Sequence, residues 1–287
     1  MKFFGKRTIF ERMVFRTLQF SGALLFFWSV LSVCFAEMAV PLAESSENAP
    51  KEDTRPLAAI IVSDDHYHAD TLFPELAEWL ESNYPIRTVV IHGHGGADFT
   101  NMQELRQADV VLLYIRRIAL KNEDMKEFQD FLKQGKPLMA FRTASHAFSL
   151  SFDGKKKPTE GFCEWREFDA QVLGGNYHNH GPNDRGTRVS TLEIAKTHPI
   201  FDGVDTQPWH SAGSLYFTLP IAENAQLFQV GTVMGRTEPL TWLRKNEWGG
   251  EVFYTALGHW EDFEEERFRK MTANVILYLC RDKQERE

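Results

Sequence analysis

The chain has 287 residues, 32 Lys plus Arg against 40 Asp plus Glu, and a formal net charge of −8. Apolar residues at 43% and charged residues at 25% are ordinary globular values, which excludes a disordered, collagen-like or multi-spanning membrane protein. Residues 1–36 carry Lys2, Lys6, Arg7, Arg12 and Arg16 against Glu11, so a total of −8 leaves −12 on residues 37–287; an acidic body repels phosphate backbones, and no nucleic acid partner is expected.

The first segment reads as an address. Its basic flank ends at Arg16, and Thr17 to Ala36 then runs 20 residues without a charge. Cys34-Phe35-Ala36 places small residues at −3 and −1 of a cut after Ala36, the pattern of a secretory signal. The run is also long enough to span a bilayer, so residues 1–36 are a signal peptide or an N-terminal membrane anchor, the cleaved form being favoured. Either way the body is expected outside the cytoplasm, periplasmic or otherwise exported. An uncleaved N-terminus is the one membrane contact foreseen. Residues 37–56, with Pro41, Ser45, Ser46, Pro50 and five acidic groups, read as a flexible linker to a domain over 57–287.

The body alternates strand and helix. Residues 57–62 form a short apolar run suited to a strand buried on both faces. Leu72, Leu76, Trp79 and Leu80 recur at helical spacing, and 89–91 is the next strand. The clearest strand is 109–115. Met125, Phe128, Phe131 and Leu132 mark one helix face, Gly135 ends that helix, and 137–141 is a further strand. This order implies an α/β fold with parallel pairing and right-handed crossovers. Later strands are read at 187–194, 226–230 and 251–256, and a closing helix at 263–280. Cys163 and Cys280 form either one disulfide or two buried thiols. His92-Gly93-His94-Gly95-Gly96 lacks the spacing of a phosphate loop, so no nucleotide is expected, and Lys155-Lys156-Lys157-Pro158 reads as a solvated loop.

Histidine is the informative residue. All ten lie between 66 and 259, and several fall just beyond strand ends: His66, His68, His92, His94, His146 and His259. In an open parallel sheet the loops after the strands converge on one crevice. His178 and His180 add two more in a Gly/Asn-rich loop. The expectation is a polar pocket whose imidazoles transfer protons or hold a metal.

Five segments in order resemble one family. They are 135–148 (GKPLMAFRTASHAF), 173–180 (LGGNYHNH), 198–203 (HPIFDG), 239–242 (PLTW) and 250–259 (GEVFYTALGH). Together they resemble the ThuA-like (trehalose utilisation) family over about 57–280. The resemblance implies a class I glutamine-amidotransferase-like fold, that is, a flavodoxin-like, three-layer, doubly wound and mostly parallel sheet. Amidotransferases of that superfamily place a nucleophilic Cys on the turn after the strand read at 137–141. Here that position is Arg142, a permanent cation that cannot be a nucleophile. His259-Trp260-Glu261 keeps the superfamily's His and Glu spacing. Ser145 beside His146 is set aside as a nucleophile, since adjacent side chains seldom face each other and no Gly-x-Ser-x-Gly elbow is present. Where the family carries its acidic pair before Leu-Tyr, this chain has Ser214, which weighs against carboxylate-dependent chemistry.

The expected catalytic groups are His259, His146, Arg142 and Glu261, the last as the orienting partner of His259. Arg142, Thr143 and Trp260 are the expected substrate contacts. His180, His259 and His178 are the candidate ligands of a divalent metal such as zinc. Two readings stand. In the first the protein acts on a carbohydrate or related polyhydroxylated compound, by His-based acid/base or metal-assisted chemistry. In the second it is a non-catalytic sugar-binding or scaffold module that has lost its nucleophile.

Overall fold

The computed structural model describes residues 53–64 and 66–281. The expected export segment, and the linker up to residue 52, lie outside the described residues. In chain order the elements are β1 (Leu57–Ser63), α1 (Ala69–Asn83), β2 (Arg87–His92), β3 (Val110–Ile115), β4 (Leu120–Lys121), α2 (Asn122–Lys133) and β5 (Leu138–Phe141). They continue through β6 (Phe162–Cys163), β7 (Asn179–His180), β8 (Thr187–Thr191), β9 (Trp209–Ser211), β10 (Tyr216–Phe217) and β11 (Gln226–Val233). The chain closes with β12 (Arg236–Lys245), β13 (Glu251–Thr255) and α3 (Glu266–Leu279).

Nine strands share one sheet in the order β2-β1-β3-β5-β13-β12-β11-β8-β9. The first five are parallel to their neighbours. The rest are antiparallel, so the sheet is mixed. The burial patterns explain the difference. β3 and β5 are buried at every residue, as strands covered on both faces must be. β8 alternates buried and exposed at its start, as a strand wet on one face does.

Aromatic rings fill the core under the parallel strands. Phe73 of α1 meets Tyr114, Phe141 and Phe263 at centroid distances of 5.0, 5.5 and 5.4 Å. Phe268 of α3 joins them against Phe263 at 4.9 Å. α1 carries an internal Pro74, which lacks the N–H that would bond the Asp70 carbonyl. His92 replaces it: Nε2 lies 3.0 Å from that carbonyl, and the His94 N–H donates to His92 Nδ1 at 2.9 Å. His92 is therefore committed to holding α1 against the end of β2, and its ring cannot serve a ligand without releasing that helix.

β12, ten residues long, is the longest element the sequence reading lacks. Pro239 lies within it, and a proline argues against a central strand because it cannot donate to the ladder. The structure accommodates Pro239 opposite Val230, where the β11–β12 register shifts, and before the pairing with β13 begins at Thr241. Met234 and Gly235, both at positive φ, make the tight turn between β11 and β12. Cys163 and Cys280 are not joined to each other.

Candidate functional site

The carboxyl ends of β1, β3, β5 and β13 carry the segments 64–68, 116–117, 142–146 and 258–262. Arg142 follows β5 directly, with φ of 40°, a left-handed conformation that a side chain other than glycine rarely adopts. The packing that holds it there is specific. The guanidinium carbon lies 4.8 Å from the Tyr67 ring centre and 4.5 Å from that of Tyr216. Nη1 donates to the Ala256 carbonyl at 2.9 Å, and Nη2 lies 3.3 Å from Ser214 Oγ. Arg142 is 1% exposed, and Thr143 beside it is fully buried. Both were expected to touch substrate; in this state both lie behind the surface, and Arg142 shapes the site by gathering the ends of β5 and β13 with the loops of Tyr67 and Ser214.

Ser214, the departure from the family pattern, fits this arrangement. A short hydroxyl and a carbonyl receive the cation, together with two aromatic faces, so no carboxylate is required to hold it. Gly213 matters for the same reason, since a Cβ there would stand 2.8 Å from Arg142 Nη1 and 3.1 Å from His259 Cβ.

His259 is placed by the backbone of its own turn. Gly258, at φ of 118°, gives its carbonyl to the buried Tyr114 hydroxyl at 2.7 Å. The N–H groups of Gly258 and His259 both donate to Asp262 Oδ2, at 2.8 and 2.9 Å. This corrects the expectation for Glu261. Residues 260–264 form a 3-10 turn, and a turn of three residues brings position 262, not 261, back to its own start. Asp262 is 1% exposed, and burial raises its pKa against the pull of Ser211, Gly258 and Arg142. The His259 pKa is lowered by burial and by Arg142, so the ring is neutral at neutral pH, and its buried Nδ1 has no hydrogen-bond partner.

Around His259 the rings form a continuous edge. Tyr67 lies 5.5 Å from it, Trp260 5.7 Å, and His68 meets Trp260 at 6.3 Å. Trp260 is 37% exposed, with its indole between His259 and His68.

His146 stands on the opposite side of Arg142. It is 9% exposed, its ring stacks on Tyr177 at 4.7 Å, and Tyr216 lies 6.0 Å away. Burial, then Arg117, Arg116 and Arg142, drive its pKa well below the usual imidazole value. The pairing with Ser145, set aside from the sequence, is present: Ser145 Oγ lies 3.1 Å from His146 Nδ1. The 142–146 segment is a 3-10 turn rather than an extended strand, and the contact is made by the Ser145 hydroxyl bending toward the ring of its neighbour. Ser145 Oγ also donates to the Arg142 carbonyl at 3.2 Å, leaving its lone pairs for a His146 Nδ1–H and leaving Nε2 as the acceptor. A cavity of about 200 Å³ opens here, lined among others by Ser145, His146, Tyr177, Arg117 and Asp169. Asp169 is buried, its Oδ2 accepts the Tyr177 N–H at 2.7 Å, its Oδ1 has no partner, and burial pushes its pKa up to about 7.

His178, and His180 in β7, are exposed beside β10, and their Nδ1 atoms lie 2.9 and 2.7 Å from the carbonyls of Asn176 and Gly181. His180 reaches the ring of Tyr216 at 6.4 Å, whereas His259 sits against Tyr67 on the far face of Arg142. Among the described residues no three His, Cys, Asp or Glu groups stand where they could hold a metal ion. The expected zinc ligands are not brought together in this arrangement: His178 and His180 lie beside β10, and His259 lies against Tyr67. His198 accepts the Ile200 N–H at 3.3 Å and packs on Phe228 and Tyr278, a turn-forming role. Sequence reasoning missed Asp262, Tyr67, Tyr177 and Tyr216; the only signal for Asp262 was a carboxylate three residues beyond a histidine that begins a turn.

Comparison with known proteins places this architecture. No curated protein matches the sequence. A ThuA-like protein from Bacteroides uniformis ATCC 8492 is similar in structure, at 13% identity over 78% of this chain and 91% of its own, with a TM-score of 0.54. A ThuA-like protein from Parabacteroides merdae ATCC 43184 gives 12% identity, 78% and 90% coverage and a TM-score of 0.50. A cold-adapted β-galactosidase from Rahnella sp. R3 gives 14% identity and a TM-score of 0.50, over 79% of this chain but 31% of its own. At such identities the likeness is one of fold. The ThuA family profile, described as trehalose utilisation, matches residues 60–279, and the chain belongs to that family.

Proposed function

We propose that the protein is exported, and that its domain over 57–287 binds a carbohydrate or related polyhydroxylated compound at the crevice beyond β1, β5 and β13. The parallel strands, in the order β2-β1-β3-β5-β13, support reading this half as flavodoxin-like and doubly wound. The observation that carries the proposal is the pair of neutral imidazoles, His259 and His146, set on either side of one buried cation. A neutral imidazole at neutral pH is a competent proton acceptor. The exposed indole of Trp260 beside His68 suits the apolar face of a sugar ring. The buried His259 Nδ1 has no hydrogen-bond partner within the protein, which suits a ligand that brings a hydroxyl group.

The chemistry is proton transfer by His259 and His146, with Arg142 holding the two in place. No metal step is included, because among the described residues no three donor groups stand together. The binding-module reading is favoured by one observation: the elbow residue Arg142 is fully engaged by its neighbours and has no nucleophilic atom.

The test is a ligand-observed NMR screen of the full-length protein against mono- and disaccharides, trehalose included, with product analysis of each binder. Trp260→Ala and His259→Ala should each weaken the binder about tenfold, the loss of one good contact. A binder that is turned over by the parent protein but not by His259→Ala supports the enzyme; a binder recovered unchanged supports the module. A screen in which no carbohydrate binds overturns both. Export is tested by a reporter active only outside the cytoplasm, fused after residue 60.

A further inference from the structure

Two segments that the carbohydrate reading leaves unused face one cavity. It has a volume of about 540 Å³ and is lined by Gly95, Gly96 and Ala97 after β2, by Arg117, Ile118 and Ala119 after β3, and by Leu150, Lys156 to Thr159 and Phe162. That size suits a small organic ligand.

The lining has a definite chemistry. Its charged side chains are Arg117, Lys156 and Lys157, and no carboxylate lines it, in a chain whose net charge is −8. Among the described residues neither Lys156 nor Lys157 is ion-paired, whereas the neighbouring Lys155 is held by Asp153 at 3.0 Å. Arg117 is fixed. Its backbone sits at φ of 52°, its N–H donates to the His146 carbonyl at 3.2 Å, and the Ile118 N–H donates to the Ala147 carbonyl at 2.7 Å. The remaining wall is apolar: Ile118, Ala119, Leu150, Pro158 and Phe162. Gly95 and Gly96 place bare backbone on the near side, where a ligand approaches without meeting a side chain.

We propose that this cavity is a second binding site, distinct from the carbohydrate crevice, for a phosphomonoester carried on an apolar or ring-shaped body. Three cationic residues line one volume, Arg117 with its Nη1 3.4 Å from the Ser149 carbonyl, and with no carboxylate among them they match a dianion better than a single carboxylate. The guanidinium supplies a planar fork and the two ammonium groups supply point charges. The apolar wall receives the rest of the molecule. The reading joins two sequence features that looked inert apart, the His92–Gly96 loop and the Lys155–Pro158 run. Neither has the spacing of a phosphate motif by itself; the fold puts them across one opening.

The experiment is isothermal titration of the full-length protein with phenyl phosphate, inorganic phosphate and benzoate, repeated on Lys156→Glu/Lys157→Glu. Both lysines are exposed, so the double variant should keep the parent melting temperature, and that is checked first. Phenyl phosphate should bind the parent, and the double variant should bind it at least about tenfold more weakly, the scale of two charge-assisted contacts reversed in sign. Inorganic phosphate and benzoate should bind more weakly than phenyl phosphate, since each lacks half of what the cavity recognises. Failure of phenyl phosphate to bind, or binding unchanged in the double variant, overturns the site. Inorganic phosphate bound as tightly as phenyl phosphate shows that the apolar wall is unused. Benzoate bound as tightly shows a carboxylate site; either outcome overturns the phosphomonoester assignment.

Discussion

The parallel frame and the segment inserted into it handle polarity in opposite ways. β5 and β13 are neighbours in the sheet, yet residues 147–250, beyond the turn that follows β5, intervene in the chain, and that insertion builds the whole antiparallel extension. In the frame, buried polarity gathers at strand ends, in Asp64, Arg142 and Asp262. In the insertion it runs through the sheet itself: Thr241 Oγ1 donates to Gln229 Oε1 at 2.8 Å and meets Thr255 Oγ1 at 2.9 Å, and Gln229 Nε2 donates to Thr191 Oγ1 at 3.2 Å. That row crosses β8, β11, β12 and β13 and is satisfied within the protein. Off that row, Arg142 Nε and His259 Nδ1 of the frame and Asp169 Oδ1 of the insertion have no partner, and such atoms mark places built to meet something else. The insertion also covers the site, since Tyr177 and Tyr216 both come from it.

The sharpest way to break this comparison is Arg142→Ala. It removes the cation between Tyr67 and Tyr216, opens a cavity and leaves the Ala256 carbonyl without its donor. We expect a loss of about 3–5 kcal/mol in chemical denaturation, the range of large core truncations. Arg142→Lys should recover part of it, because the charge returns without the fork. A loss below about 1 kcal/mol would mean that the insertion, not Arg142, organises the strand ends.

Asp169 tests the insertion by pH. Its folded pKa is raised from 3.8 to about 7 by burial, so the folded state binds the proton more tightly than the unfolded chain does. Stability from this group is complete below about pH 4 and is lost as pH rises through about 7. The size is of order 2–4 kcal/mol, from about 1.4 kcal/mol per pKa unit. His146 works in the reverse sense: its folded pKa is depressed, so its contribution is present above the ordinary imidazole value and lost as pH falls. Asp169→Asn isolates the first effect. The parent should lose stability relative to the variant between pH 4 and 8, measured by urea midpoints. Equal pH profiles would show that the carboxyl is hydrated.

Gln229→Leu tests the polar row itself. Thr241 and Thr191 each lose a partner, at a cost of about 1–3 kcal/mol. Binding at the crevice should be unchanged, because the row touches none of its rings. A loss of binding with stability intact would show that the two regions are coupled.

What the sequence made legible follows the same division. The frame was readable because strands buried on both faces are plain apolar runs; 109–115 was read and Val110–Ile115 found. The insertion was readable only in part: 187–194 and 226–230 were read and Thr187–Thr191 and Gln226–Val233 found, but Pro239 interrupts β12, and β7, β9 and β10 are only two or three residues long. The site divides likewise. His146 and His259 were found from their positions after strands. Tyr67, Tyr177 and Tyr216 were not, since an aromatic residue carries no sign of the cation or the imidazole it will pack against. His92 was placed with the site for its position alone; its task, replacing the hydrogen bond that Pro74 cannot make, depends on two residues 18 apart that only the fold brings together.

The smallest expected effect concerns the neighbouring carboxylates of the His259 turn. Glu261 is partly exposed, and Glu261→Gln should change stability by less than about 0.5 kcal/mol, as isolated surface substitutions do. Asp262→Asn should cost more, about 1–2 kcal/mol, because one oxygen accepts two backbone N–H groups and an amide oxygen is a weaker acceptor than a carboxylate. Its functional signature is distinct. The Gly258–His259 peptide loses its anchor, so carbohydrate affinity should fall in Asp262→Asn and stay at the parent value in Glu261→Gln. The reverse ranking, with Glu261→Gln the more damaging to binding, would return Glu261 to the role of orienting partner. It would also mean that the ligand, rather than the turn, sets the direction of the His259 ring.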